Sequence, residues 1–151
     1  MIYSENRKKL KEGILIKILR NELKNELNIR TEKNFPKESI EFIDIMPLII
    51  QKDTFKEIIN KFVEEISDKK IDYIVGPEAR GLILGSAVAN KLEVGFIPVR
   101  KAGKLPPSTV EKILKYKKEY GKDVLELPKL VNEEYKEKRF YIIDDIYATG
   151  N

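Results

Sequence analysis

Cysteine, histidine and tryptophan are all absent from the 151-residue sequence, and it has 2 methionines. Without cysteine there are no disulfides, thiol nucleophiles or cysteine-bound zinc. Without histidine the commonest metal ligand and proton shuttle is gone. Acid–base chemistry therefore falls to carboxylates, tyrosine or lysine. No apolar run approaches the roughly 20 residues of a membrane-spanning helix, and Met1-Ile2-Tyr3-Ser4-Glu5 does not have the pattern of a signal peptide. The cytoplasm is the expected compartment, with no membrane partner.

The residues that are present are those of a charged globular domain, 42% apolar and 36% charged. Lysine and arginine number 29 against 25 acidic residues, a net charge of +4. That mild excess suits an anionic small molecule, and without a dense basic face it does not point to nucleic acid. The length suits a single core. Residues 1–34 are assigned to an N-terminal helix and loop, and residues 35–151 to the main domain. Leu15, Ile18, Leu19, Leu23 and Leu27 recur at helical spacing among charges, and Asn28 to Asn34 is polar enough to be a loop.

From Phe35-Pro36 onward the pattern is one of alternating strands and helices. Ile40 to Ile45 is a short extended piece ended by Pro47. Asp53 to about Asp68 is a helix with Phe55, Ile58, Ile59, Phe62, Val63 and Ile66 on one face, and Thr54 with Glu57 is spaced as a capping box. Ile71 to Val75 is a strand, Gly76-Pro77-Glu78-Ala79-Arg80-Gly81 the turn at its end, Leu82 to Leu92 a helix and Val94 to Val99 the next strand, which together form a βαβ unit. Arg80 stands where a helix start offers N–H groups to an anion, although taken alone it reads as a surface residue. Arg100-Lys101-Ala102-Gly103-Lys104-Leu105-Pro106-Pro107 gathers cations directly after a strand. Ser108 to Lys118 is a short helix or part of a flap, and Asp123 to Leu127 is extended.

The last stretch organises the rest. Phe140-Tyr141-Ile142-Ile143 lacks polar alternation, as a strand buried on both faces does. It ends in Asp144-Asp145, at the strand edge where open α/β sheets bind ligands, followed by the small-residue turn Ala148-Thr149-Gly150. Carboxylates for sugar hydroxyls beside N–H groups for a phosphate suit a phosphorylated ribose.

Taken in order, these strings resemble the adenine branch of the type I phosphoribosyltransferases. The matching residues are Phe35-Pro36 with Phe42-x-Asp44-Ile45-x-Pro47, Glu78-Ala79-Arg80-Gly81, Arg100-Lys101-x-Gly103-Lys104-Leu105-Pro106, Tyr116-x-x-Glu119-Tyr120-Gly121 and Asp144-Asp145-x-x-Ala148-Thr149-Gly150. The resemblance implies an α/β fold, a mostly parallel twisted sheet with flanking helices. It also implies transfer of a phosphoribosyl group from 5-phosphoribosyl pyrophosphate (PRPP) to adenine, with magnesium carried on the diphosphate, in a homodimer.

By the same resemblance, Asp144 and Asp145 would hold the ribose hydroxyls, and Ala148, Thr149, Gly150 and Asn151 the 5′-phosphate. Arg80 would meet the pyrophosphate, with Arg100, Lys101 and Lys104 on or near a closing hood. Glu119 would handle the proton at the purine, Tyr120 would help close the hood, and Glu41, Phe42 and Ile43, in the segment Ile40 to Ile43, would line adenine largely through main chain. The sequence departs from the family pattern at Glu38-Ser39, Ile43, Lys118 and Asn151. The alternatives are a sensor of PRPP or a nucleotide that does not catalyse, and an inactive truncated paralogue. Because the sequence stops inside the phosphate loop, a crossover helix and a further strand are expected beyond it, roughly 25–40 residues. Without them, residues 1–151 alone are expected to turn over poorly.

Overall fold

The computed structural model describes residues 30–35, 38, 41–118, 121–130 and 135–145. The assigned N-terminal helix therefore lies outside the described residues. Strands β1 (Arg30–Lys33) and β2 (Glu41–Asp44) form an antiparallel pair in which Arg30 faces Asp44 and Glu32 faces Phe42. Within the stretch expected to be a loop, Arg30–Lys33 is thus a strand. Every residue of β1 is exposed, so burial left no apolar pattern, and pairing with β2 makes the strand. The Arg30–Asp44 ion pair, at 3.0 Å, closes one end.

Helix α1 (Met46–Ile50) follows. Pro47 sits in its first turn, where the missing N–H would have had no partner in any case, and so opens a helix after ending the extended piece. Asp44 Oδ1 accepts from the Met46 N–H at 2.9 Å. Helix α2 (Lys52–Ile66) buries Thr54, Ile58, Ile59, Phe62 and Ile66. It starts a residue earlier than its periodicity suggests, which places Thr54 inside the first turn. The expected capping box does not form, because Gln51 is the capping residue and makes no side-chain bond.

The main sheet has the order β5-β6-β4-β3-β7, built from β3 (Tyr73–Pro77), β4 (Gly95–Lys101), β5 (Val110–Lys118), β6 (Gly121–Pro128) and β7 (Phe140–Ile142). Both β4 and β7 run parallel to β3, with Val75 opposite Ile97 and Ile142. Strands β4–β6 and β5–β6 are antiparallel. The segment Ser108 to Lys118, expected as a helix or flap, is a three-residue 3₁₀ turn (Pro107–Thr109) followed by β5. Its lysines are compatible with a strand because one edge pairs with β6 while the side chains from Glu111 to Lys115 stay in water. Among the described residues β7 is an edge strand. Phe140 and Ile142 are exposed and Ile143 is buried, so full burial on both faces is not observed.

Alternation along β3 divides the core between the two faces. Ile74 joins Ile58, Phe62, Ile66, Leu84, Val88 and Ile143 under α2 and α3 (Arg80–Leu92). Val75 joins Ile97 and Val99 on the other face, covered by Leu125, Leu127, Leu130 and Tyr135. The first cluster is continuous and large. The second is thin.

Candidate active site

Parallel strands end on the same side of a sheet, so the turns after β3, β4 and β7 converge at one edge. The turn after β3 holds Glu78 and Ala79, joined by a cis peptide, and delivers Arg80 as the first residue of α3. Gly81 permits this entry, because a Cβ there would lie 2.8 Å from the carbonyl oxygen of Ile143. With no side chain in the way, the start of α3 packs directly on the end of β7.

That packing brings Arg80 to the carboxylates. Arg80 Nε lies 2.9 Å from Asp145 Oδ2, with the Asp145 side chain 3% exposed. The contact is an ion pair without hydrogen-bond alignment, so Oδ2 is buried with no aligned donor among the described residues. The Asp145 N–H donates to Asp144 Oδ1 at 2.9 Å. Asp144 is exposed to solvent, yet the protein packed near it and the Asp145 carboxyl beside it disfavour its charged form. Desolvation first, and its neighbour second, push the Asp144 pKa up to about 7. The Asp144 carboxyl therefore keeps part of its proton near neutrality.

The other flank of Arg80 faces β2, with the guanidinium carbon 5.2 Å from the centre of the Phe42 ring. Phe35 meets the same ring edge-on at 5.2 Å. Ile43, the next residue along β2, packs against the main core. The Phe42 ring therefore lies beside Arg80 while the Ile43 side chain serves the core, which leaves main chain as what Ile43 can offer a base. Glu41 contributes backbone to β2, opposite Lys33.

At the end of β4, Glu78 Oε2 accepts from the Lys101 N–H at 2.9 Å and from Arg100 Nε at 3.1 Å. These two contacts, the backbone donor first and the guanidinium second, hold the Glu78 carboxyl below the ordinary carboxylate range. Arg80 and Arg100 are thus each paired with a carboxylate. Lys101 and Lys104 are exposed and make no side-chain ion pair among the described residues. Their loop turns at Gly103, whose φ of +76° favours glycine.

The structure therefore gathers Phe42, Arg80, Arg100, Lys101, Asp144 and Asp145 around one sheet edge. Glu119, Tyr120, Ala148, Thr149, Gly150 and Asn151 lie outside the described residues. No role was read from the sequence for Glu78 or for Glu126, which is buried on β6. For Glu126 there was a signal, an acidic residue set inside the apolar run Val124-Leu125-Glu126-Leu127. Among the described residues no group of three or more acidic side chains gathers as a metal site, and no helix is long and apolar enough to cross a membrane.

The arrangement offers acceptors for sugar hydroxyls, exposed cations for an anion and an aromatic surface for a base. A family model described as the phosphoribosyl transferase domain matches residues 49–151. The adenine phosphoribosyltransferase of Clostridium beijerinckii is 51% identical over 122 residues, 81% of this chain and 69% of that protein. That of Brachyspira hyodysenteriae is 49% identical over 122 residues, with the same shares covered. Among solved structures, the Thermoanaerobacter pseudethanolicus adenine phosphoribosyltransferase superposes with a TM-score of 0.73 at 40% identity, over 81% of this chain and 69% of that one. The Saccharomyces cerevisiae enzyme, complexed with an imino-altritol bisphosphate and adenine, gives a TM-score of 0.70 at 42% identity with the same coverage.

Proposed function

The chain belongs to the phosphoribosyl transferase family, in its adenine phosphoribosyltransferase branch, and from that premise we propose how its residues carry the reaction. The activity is transfer of the 5-phosphoribosyl group from PRPP to adenine, giving AMP and pyrophosphate. A nitrogen of adenine bonds to the anomeric carbon of ribose, the bond from that carbon to pyrophosphate breaks, and the oxygen of the leaving group keeps the electron pair. The base gives up one proton. The protein's task is to align the reactants, stabilise the departing charge and exclude water.

Asp144 and Asp145 accept hydrogen bonds from the ribose hydroxyls, Asp144 in its ionised form, and Asp145 has a buried oxygen lacking an aligned donor among the described residues. Ala148, Thr149, Gly150 and Asn151 cradle the 5′-phosphate. Arg80 faces the pyrophosphate, with Arg100, Lys101 and Lys104 adding cations from the β4 loop. Phe42 lies against the base, and Glu41 and Ile43 contribute main chain. Glu119 takes the proton from the purine while Tyr120 closes the hood. Magnesium would arrive on the diphosphate of PRPP, as an ion of the substrate, near the Asp144 and Asp145 carboxylates, whose oxygens suit a hard cation. When bound, it would neutralise part of the leaving-group charge. Residues 35–151 form the transferase domain, following an N-terminal segment of residues 1–34. The working form is a cytoplasmic homodimer.

The observation that carries this reading is the Arg80–Asp145 ion pair beside Phe42, which brings together at one edge the residues this reading gives to base, ribose and pyrophosphate. The test is PRPP-dependent consumption of adenine, hypoxanthine and xanthine by the full-length protein, with release of pyrophosphate followed in parallel. Adenine is expected to be the preferred base. Glu119→Ala is expected to lower kcat by about 10²–10⁴-fold while PRPP binding changes little. A loss below about tenfold would remove Glu119 from the acid–base role. PRPP binding without consumption of any purine would favour a sensor.

A further inference from the structure

Glu126 is 9% exposed and stands in a strand segment that is otherwise apolar. Leu125 and Leu127 pack on the second core cluster, so strand alternation turns Glu126 to the opposite side. There its two oxygens meet the basic loop. Oε1 accepts from the Gly103 N–H at 2.9 Å, and Oε2 accepts from the Leu105 N–H at 3.3 Å. One carboxylate thus holds the two amides that flank Lys104, and the Lys104 N–H closes a turn onto the Lys101 carbonyl at 3.2 Å.

The anchor is stiff. Glu126 sits opposite Arg100 on β4 and opposite Ile113 on β5, so β6 is fixed on both sides at this residue. Glu78 holds the base of the same loop through Arg100 Nε and the Lys101 N–H. A nearly buried carboxylate is costly unless donors meet it, and here backbone amides supply them as charge-assisted bonds. An apolar residue, like its neighbours, would fill the position without grasping the loop.

We propose that Glu126 is a positioning residue for phosphoribosyl transfer, fixing the loop from Lys101 to Leu105 so that the Lys101 and Lys104 ammonium groups meet the diphosphate of PRPP. The proposal rests on the role given above to those lysines. Glu126 itself touches neither substrate nor the reacting atoms. It acts through the backbone of Gly103 and Leu105.

The experiment compares the unsubstituted full-length protein with Glu126→Gln and Glu126→Asp. The glutamine keeps the shape and one acceptor, but turns an NH₂ group toward one of the two amides. Hydrogen exchange would be followed at Gly103 and Leu105 against Ile74 and Val75, together with pyrophosphate affinity by calorimetry at two salt concentrations and KM and kcat for each substrate. In Glu126→Gln, exchange at the two loop amides is expected to speed about tenfold, the worth of one hydrogen bond, with the strand amides unchanged. Pyrophosphate affinity and KM for PRPP are expected to worsen by a similar factor and to depend less on salt, with KM for adenine within about twofold. Partial recovery in Glu126→Asp would support the carboxylate itself as the anchor.

Unchanged loop exchange would overturn the proposal. So would an equal rise at the β3 amides, which would indicate general loosening, or equal losses for PRPP and adenine. If the unsubstituted protein bound pyrophosphate but consumed no adenine, the transferase reading alone would fail, and the exchange and calorimetric results would still decide the role of Glu126.

Discussion

The parallel end of the sheet, β7-β3-β4 under α2 and α3, buries Ile58, Phe62, Ile66, Ile74, Leu84, Val88 and Ile143 almost completely, whereas the antiparallel end, β5-β6, leaves Ile113 57% and Leu114 38% exposed. Both ends carry ladder hydrogen bonds, but only the parallel end has a deep apolar layer beneath it. Hydrophobic burial therefore fixes the frame, while the hairpin is defined mainly by backbone pairing and by contacts such as that of Glu126 with its loop. The candidate site lies at the junction. Arg80, Asp144 and Asp145 come from the well-packed part, and the exposed Lys101 and Lys104 from the loop that leads into the thinner part. Such a division suits a site that needs fixed carboxylates and exposed cations held where an anion can reach them.

The largest expected effect tests the frame. Phe62→Ala is expected to cost about 3–5 kcal/mol, measured as a lower urea midpoint at unchanged slope. A loss below about 1 kcal/mol would mean that the first cluster does not carry the stability attributed to it.

Next comes the junction. Arg80→Ala leaves the buried Asp145 carboxylate without its cation, at an expected cost of about 1–3 kcal/mol. Asp145→Asn in the same background is expected to recover part of that loss. Strict additivity in the double-mutant cycle would show that the two residues are not energetically coupled.

A pH titration sharpens the same contrast. The Asp144 pKa is raised from an ordinary 3.8 to about 7, so between these values the folded protein binds more protons than the unfolded chain. The contribution of this group to stability is therefore full below pH 3.8 and is lost as pH rises toward about 7. Asp144→Asn is expected to flatten this slope. It should also remove a rise in kcat/KM for PRPP through about pH 7, where the ionised carboxylate becomes available to the sugar. An unchanged profile in Asp144→Asn would assign that titration elsewhere.

The smallest effect belongs to the hairpin, where Leu114→Ala is expected to change stability by about 0.5 kcal/mol or less. A loss comparable to that of Phe62→Ala would erase the distinction between the two ends, and would indicate that an unseen surface covers β5.

Strands β3 and β4 were legible because apolar runs ended in charged or glycine-bearing turns, and α2 because its apolar residues kept helical spacing. Strand β1 was not legible, since four exposed polar residues acquire strand geometry only by pairing with β2. Strand β5 was obscured by its lysines, which suggest a flap when pairing with β6 cannot be seen. In the site, Arg80, Arg100, Lys101, Asp144 and Asp145 were nominated from strand-end motifs and converge. Phe42 was nominated together with Glu41 and Ile43, yet only the fold distinguishes the aromatic ring beside Arg80 from the Ile43 side chain spent on the core.

By itself the sequence determined the parallel frame and the chemical character of the site, because both follow from local order: apolar runs of strand length, one helical stripe, and charged residues immediately after each strand. Tertiary structure decided which charges pair. Arg80 finds Asp145 across the sheet edge, Arg100 finds Glu78 at a separation of 22 residues, and Gly103 finds Glu126 at a separation of 23. Those partners are chosen by strand order and register, which bring distant residues within hydrogen-bond range and leave no trace in the spacing of either one.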